Sequence, residues 1–200
     1  MRSGTGAGPF IRDTVVHLNS ISTSPYCRKV LIAAAELGLN DRIEVREGYG
    51  KENPLGKVPA LVISDERIIV DSRVICAFLQ TLNPKRLLVP DDCTGKFDAL
   101  TIEALADGIM DACLIRMNGG GPRSREHPLQ RHKVECALDY FEKIWPRHEA
   151  ELQIGQIAAI AALSYLDLRF AEENWRSSRP RLAAWYAVCL KRETIRTYVR

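Results

Sequence analysis

Three short segments carry the residue types that could act on a ligand. The first is Ser24-Pro25-Tyr26-Cys27, which sits where a strand-like run gives way to a helical one. The free N–H groups and dipole of a first helical turn favour negative charge. A hydroxyl at the N-cap is a poor nucleophile without an adjacent base, and no His or Asp lies nearby in the sequence. It can donate a hydrogen bond to a thiolate brought by another molecule. The plainer reading is that Ser24 caps a helix. Ser20 and Ser22 compete for the same position. Cys27 lies about one turn inside, where a thiol is either packed or, at such a helix end, acidified.

The second segment is Val58-Pro59, which opens a strand. A cis bond there would turn the backbone of Val58 outward to pair with an extended peptide, whereas a trans proline would simply end a loop. The third is Asp71-Ser72 at the start of another helix. Its first-turn N–H groups and hydroxyl suit a carboxylate and its acid suits an ammonium group, although the same pair is an ordinary cap. A ligand served by all three segments has a thiol, a peptide backbone and an α-amino/α-carboxyl end. Glutathione has each of these.

The elements that must position these segments follow from periodicity. Thr14–Asn19, Ile43–Arg46, Ala60–Ile63 and Ile68–Val70 read as strands by brevity and β-branched content. Pro25–Leu37 reads as a helix opened by Ser24-Pro25 and closed by Gly38. A second helix starts at Ser72, with Val74, Ile75, Phe78, Leu79 and Leu82 on one face. The order β-α-β, loop, β-β-α predicts a mixed four-stranded sheet flanked by helices, the thioredoxin-like α/β arrangement.

After Asn83 the chain changes character. Residues 83–92 carry two prolines and read as a linker, and 93–200 read as an all-helical domain. In its first helix Phe97, Leu100, Ala104, Leu105, Ile109 and Ala112 are expected to share one face, and the helix ends before the Asn118–Arg123 loop. Val134, Leu138, Phe141 and Trp145 mark the next, with Pro146 a break. Ile154–Phe170, apolar nearly all round, is expected to be the buried central helix, and Leu182–Leu190 the last. The resulting organisation is 1–13 as a flexible leader or cloning remnant, 14–82 as the thioredoxin-like domain, then linker and helical domain.

Composition excludes several classes. The 28 basic and 25 acidic residues are interleaved, so no basic block tracks a nucleic-acid backbone. No apolar run approaches the roughly 20 residues of a membrane span, and no signal core opens the chain, which predicts a cytoplasmic protein. The 6 cysteines show no zinc spacing, and all but Cys27 are expected to be packing residues, reduced and unpaired. The histidines form no metal pair, so no metal is assigned. Asp107 and Asp111, four apart, read as solvated or as a helix–helix contact; Trp175, Trp185 and Tyr186 read as packing.

The runs SPYCRKVLIAAAELGL, NPLGKVPALV and VDSRVICAFL resemble the N-terminal domain of the cytosolic glutathione S-transferases. IGQIAAIAALSYLDLRF followed by RPRLAAWYA is similar to the core and last helices of their C-terminal domain. The resemblance spans roughly Val15 to Val199. It implies that Ser24 is the serine of serine-type transferases, where glutaredoxin and omega-type relatives have cysteine. It implies that Val58, before a cis Pro59, pairs with the cysteinyl part of glutathione. Asp71 and Ser72 would hold the γ-glutamyl end, and Lys57 would reach the glycine carboxylate. It further implies a homodimer that uses glutathione as co-substrate, with no permanently bound cofactor, and conjugates its thiolate to a hydrophobic electrophile.

The chain departs from that pattern in three places. Glu47–Glu52 (EGYGKE) replaces a longer stretch containing a helix, so part of the glutathione wall is expected to be missing. Gln153 and Gln156 stand at the family's capping box, and neither is a strong cap of that type. The Asn118–Arg123 glycines read as a helix stop. Two other activities fit the same segments: a glutathione-binding module with little turnover, favoured by the short EGYGKE segment, and a thiol–disulfide oxidoreductase using Cys27.

Overall fold

The computed structural model describes residues 15–64, 67–118, 126–145 and 152–199. The expected leader, the Asp65-Glu66 tip, the glycine loop after Asn118 and Pro146 lie outside these residues. The chain divides into two compact units between Leu88 and Val89.

In the first unit the order is β1 (Val16–Ser20), α1 (Pro25–Glu36), β2 (Ile43–Glu47), β3 (Ala60–Ser64), β4 (Arg67–Ile69) and α2 (Ser72–Leu82). The sheet runs β2-β1-β3-β4, with β1 parallel to β2 and antiparallel to β3, and β3 antiparallel to β4. This is the thioredoxin-like sheet that the β-α-β, β-β-α order predicts. A parallel pair requires a crossover, and α1 supplies it. β2 is an edge strand and largely exposed, whereas Leu18 in β1 and Ala60 and Leu61 in β3 are fully buried.

Helix α1 is buried on most sides, and its run Ala33-Ala34-Ala35 is small enough for close packing against α2. Its end is a Schellman turn. Gly38 takes φ +68°, Gly38 N–H donates to Ala35 and Leu39 N–H to Ala34. On α2 the buried set is Ser72, Ile75, Cys76 and Leu79. Val74, expected on that face, is 53% exposed, so the stripe is rotated by about one residue. Residues just past α2 stay fastened to this unit: Asn83 donates to the Leu37 carbonyl at 2.9 Å, Arg86 pairs with Glu36, and Leu88 is buried.

The second unit comprises α3 (Cys93–Asn118), α4 (Glu126–Ile144), α5 (Ile154–Arg169), α6 (Pro180–Cys189) and a short α7 (Glu193–Arg196) that periodicity did not reveal. Every residue of α5 from Ile154 to Leu166 is buried, as its all-round apolar character requires. At Gly155, α5 lies close against α3: a Cβ there would lie 2.7 Å from the Ala99 carbonyl oxygen and 2.8 Å from Ile102 Cβ. The buried residues of α3 are Ala99, Ile102, Ala106, Ile109, Met110, Ala112 and Cys113, together with Glu103, Asp107 and Arg116, so Ile109 and Ala112 lie inside as expected. Phe97 and Ala104, expected inside, face out. α3 packs against both α4 and α5, so its buried surface is broader than one stripe, and near Gly155 it is Ala99 and Ile102 that meet α5. At the start of α5 the Gln156 side chain accepts from Gln153 N–H at 2.6 Å, so glutamine does serve as a cap here.

Aromatic packing joins α4 and α6. Phe141 meets Trp145 edge-on at 5.0 Å, and Trp145 lies 4.5 Å from Trp185. Arg116, buried over the Phe170 ring, pairs with Glu173.

Candidate functional site

The register of the sheet decides what the three chemistry-bearing segments share. Ser20 at the end of β1 lies beside Glu47 at the end of β2, and Asn19 faces Ala60 at the start of β3. Leu61 pairs with Ile69 at the end of β4. Residues leaving β1, leaving β2, entering β3 and leaving β4 therefore emerge at one edge of the sheet. These are the Ser24 turn, the 48–57 segment, Val58-Pro59 and Asp71-Ser72. Nearly fifty residues of sequence collapse onto one rim.

Ser24 is the N-cap of α1, with extended backbone (φ −75°, ψ 123°) and Pro25 at the first helical position. Its Oγ accepts from Cys27 N–H at 3.4 Å, which leaves the hydroxyl hydrogen to donate elsewhere. No acidic side chain sits in the first turn of α1, so the partial positive charge there is uncompensated. Ser20 is buried within β1, and Ser22 is exposed with its N–H directed to Glu47 at 3.3 Å. Of the three serines, Ser24 is the one whose hydroxyl stands at the helix terminus.

Cys27 is only 1% exposed. That burial removes the support for a thiol–disulfide activity of this chain, since exchange needs an accessible thiolate. Two other cysteines depart from the packing expectation. Cys93 and Cys136 are exposed, the latter 3.5 Å from His132 Nε2 on α4. Cys113 behaves as expected for a buried thiol, pushed up to about 12 by desolvation.

Val58 is half-buried before the buried ring of Pro59, and their peptide bond is cis. Lys57 is exposed, and its carbonyl accepts from the Asn53 side chain at 2.6 Å. Asp71, rather than Ser72, is the N-cap of α2: its Oδ1 accepts from Arg73 N–H at 3.0 Å. Asp71 is exposed and Ser72 is 3% exposed, so the carboxylate is the accessible member of the pair.

The 48–57 segment contains no helix, in keeping with its shortness. It is held down by a contact that no sequence pattern announces. Buried Asn19 donates from Nδ2 to Glu52 Oε2 at 2.8 Å. Gly50, at φ +67°, crosses so close that a Cβ would stand 2.1 Å from Asn19 Nδ2. Hydrogen bonds from its own backbone N–H first, then from Asn19, hold the Glu52 carboxyl below its usual range. Among the described residues no group of three metal-ligating side chains occurs. No described helix is long and apolar enough to cross a membrane.

Comparison with known proteins bears on both units. The glutathione S-transferase N-terminal domain profile matches residues 23–82, and the C-terminal domain profile matches residues 125–187. An uncharacterized GST-like protein from Escherichia coli K12, YibF, is 31% identical over 186 residues, covering 86% of this chain and 92% of its own. A glutathione transferase family member from Pseudomonas fluorescens Pf-5, solved with bound glutathione, is 31% identical with a TM-score of 0.82, covering 92% of this chain and 98% of that one. A glutathione S-transferase from Methylobacillus flagellatus with glutathione bound is 33% identical with a TM-score of 0.81 over the same shares. Both domains match in the same order, and the likeness runs nearly end to end, so this chain belongs to the glutathione S-transferase family.

Proposed function

We propose that this protein binds glutathione along the rim of the first unit's sheet and transfers its thiolate to a hydrophobic electrophile. The observation that carries the reading is the placement of Ser24. Its hydroxyl caps a helix whose first turn holds no acid, at the rim where the other two segments also emerge. The solved relatives with glutathione bound support the choice of ligand.

In this reading the Ser24 hydroxyl donates to the glutathione sulfur and, with the N-terminus of α1, favours the thiolate. The Val58 backbone pairs with the cysteinyl unit, and Asp71 takes the γ-glutamyl ammonium. Ser72 and the first turn of α2 face its carboxylate, and Lys57 reaches for the glycine carboxylate. The thiol proton is released to solvent, and the sulfur lone pair then forms a bond to the electrophilic carbon while a leaving group departs with its electrons. Ser24 keeps its proton throughout, and the chain contributes no reacting atom. The protein works as a homodimer in the cytoplasm, in a detoxifying role, with no permanently bound cofactor.

The short 48–57 segment, which lacks a helix, favours a second reading as a glutathione-binding module with little turnover. Calorimetry with glutathione and a turnover assay with 1-chloro-2,4-dinitrobenzene separate the two. Binding together with chloride release supports the transferase, and binding alone supports the module. Absence of glutathione binding at millimolar concentration overturns both.

A further inference from the structure

The second unit contains a cavity of about 410 Å³ between the C-terminal half of α5, α6 and α7. That volume falls in the range of small-molecule sites, about 300–1,000 Å³. Its wall includes Asp167, Leu168, Tyr186, Leu190, Arg196 and Val199. It lies wholly within the helical unit, on residues that the glutathione reading does not use.

The charges on that wall are unequal. Asp167 Oδ1 accepts from Trp175 Nε1 at 2.9 Å and from Arg176 Nη1 at 2.5 Å, and Oδ2 accepts from Arg176 Nη2 at 2.6 Å. Its charge is thus met by a bidentate guanidinium. Arg196 is exposed, and its side chain has no hydrogen bond or ion pair among the described residues. What remains for a guest is a guanidinium fork, which matches a planar carboxylate in two parallel bonds.

Ser164 also lines the cavity, its hydroxyl donating to the Ala161 carbonyl at 2.8 Å, and the remaining wall is Tyr186 with three aliphatic side chains. Leu168 is left 42% exposed at the mouth, and Leu190 and Val199 continue the surface. Tyr186 is buried, its ring backed by Trp175 at 5.9 Å and by the Arg176 guanidinium at 5.5 Å. Those contacts leave the ring fixed as a firm base. We infer that this cavity is a binding site for a medium-chain aliphatic carboxylate, its acid group on Arg196 and its chain along Leu168, Leu190 and Val199. The inference is independent of the glutathione reading, because no residue is shared.

The test is calorimetric titration of the full chain with octanoate, saturated throughout with S-hexylglutathione so that the rim of the first unit is occupied. Octanoate is expected to bind the wild type, and octanamide, the same chain without the charge, at least ten-fold more weakly. Arg196→Gln should weaken octanoate at least ten-fold. Leu168→Trp, which fills the mouth from an exposed position, should do the same with an unchanged circular dichroism spectrum. Octanoate that fails to bind at millimolar concentration overturns the assignment. So does equal affinity for octanamide, or affinity unaffected by either substitution. Octanoate that binds only when S-hexylglutathione is left out also overturns it, by placing the guest on the rim.

Discussion

Replacing Ser24 by alanine removes one hydroxyl and tests the proposed chemistry directly. A hydrogen bond to a charged group contributes about 1.5–3 kcal/mol. At about 1.36 kcal/mol per pK unit, its loss raises the bound thiol by one to two units. The helix terminus, worth about 0.3–1 kcal/mol, stays in place in the variant. Starting from a free thiol near 8.5, the wild-type complex should titrate at about 6.5 and the variant at about 8. At pH 6.5 the thiolate fraction then falls from about one half to about 3%, a loss of roughly fifteen-fold.

By pH 9 both complexes are almost fully ionised, so the gap should close. The assay is kcat/KM with a generic electrophile between pH 5.5 and 9, alongside the ultraviolet absorbance of the bound thiolate. The fold is checked separately. Ser24 Oγ accepts only a long cap bond, 3.4 Å, so the stability cost belongs at the low end of the capping range, about 0.5–1 kcal/mol, or a few degrees in Tm. Turnover equal to wild type at pH 6.5 would refute the reasoning. A deficit that stays constant across the whole pH range would refute it too, because a lost thiolate donor must be compensated by alkali.

Other expectations follow from burial and geometry. Native-state alkylation with iodoacetamide should modify Cys93 and Cys136 rapidly and spare Cys27, and fast labelling of Cys27 would restore the exchange activity set aside above. Glu52 is held below its usual value, so its stabilising tie to Asn19 is complete above the unfolded pKa and lost as pH falls through the lower folded one. The Gly50 amide resonance should therefore titrate with a midpoint below the ordinary glutamate range, and Glu52→Gln should abolish that step. Glu173→Gln leaves the buried Arg116 guanidinium without its carboxylate, and a loss of about 3 kcal/mol in urea unfolding is expected; less than 1 would contradict the packing described. Gly155→Ala ordinarily favours a helix by about 1 kcal/mol. Here the added methyl meets the Ala99 carbonyl, and a net loss of about 1–3 kcal/mol in the same measurement is expected.

Much of this molecule was legible in one dimension because the forces concerned are local. Ser24-Pro25 at one end of α1 and Gly38 just past the other are caps, set by backbone groups within a turn. The span and burial of α5 follow from its all-round apolar surface, and the order of strands and helices restricts the sheet to few topologies. Those same local signals named Ser24, Val58-Pro59 and Asp71-Ser72 as candidates. They left open whether the three are caps and turns scattered over a surface or neighbours on one rim.

That choice, and several others, belonged to pairing at a distance. The strand register carries the three segments to a common edge, and register depends on side chains far apart in sequence. Packing against α4 and α5 selects which residues of α3 turn inward, leaving Phe97 in water. Asn19 meets Glu52 across thirty-three positions, and Arg196 and Asp167 line one cavity without touching; neither placement leaves a trace in spacing or periodicity. Sequence by itself determined the elements and their ends, because a helix or turn answers to its own few residues. Tertiary structure alone decided which faces are buried and which groups meet, because those depend on surfaces that exist only after the elements have packed.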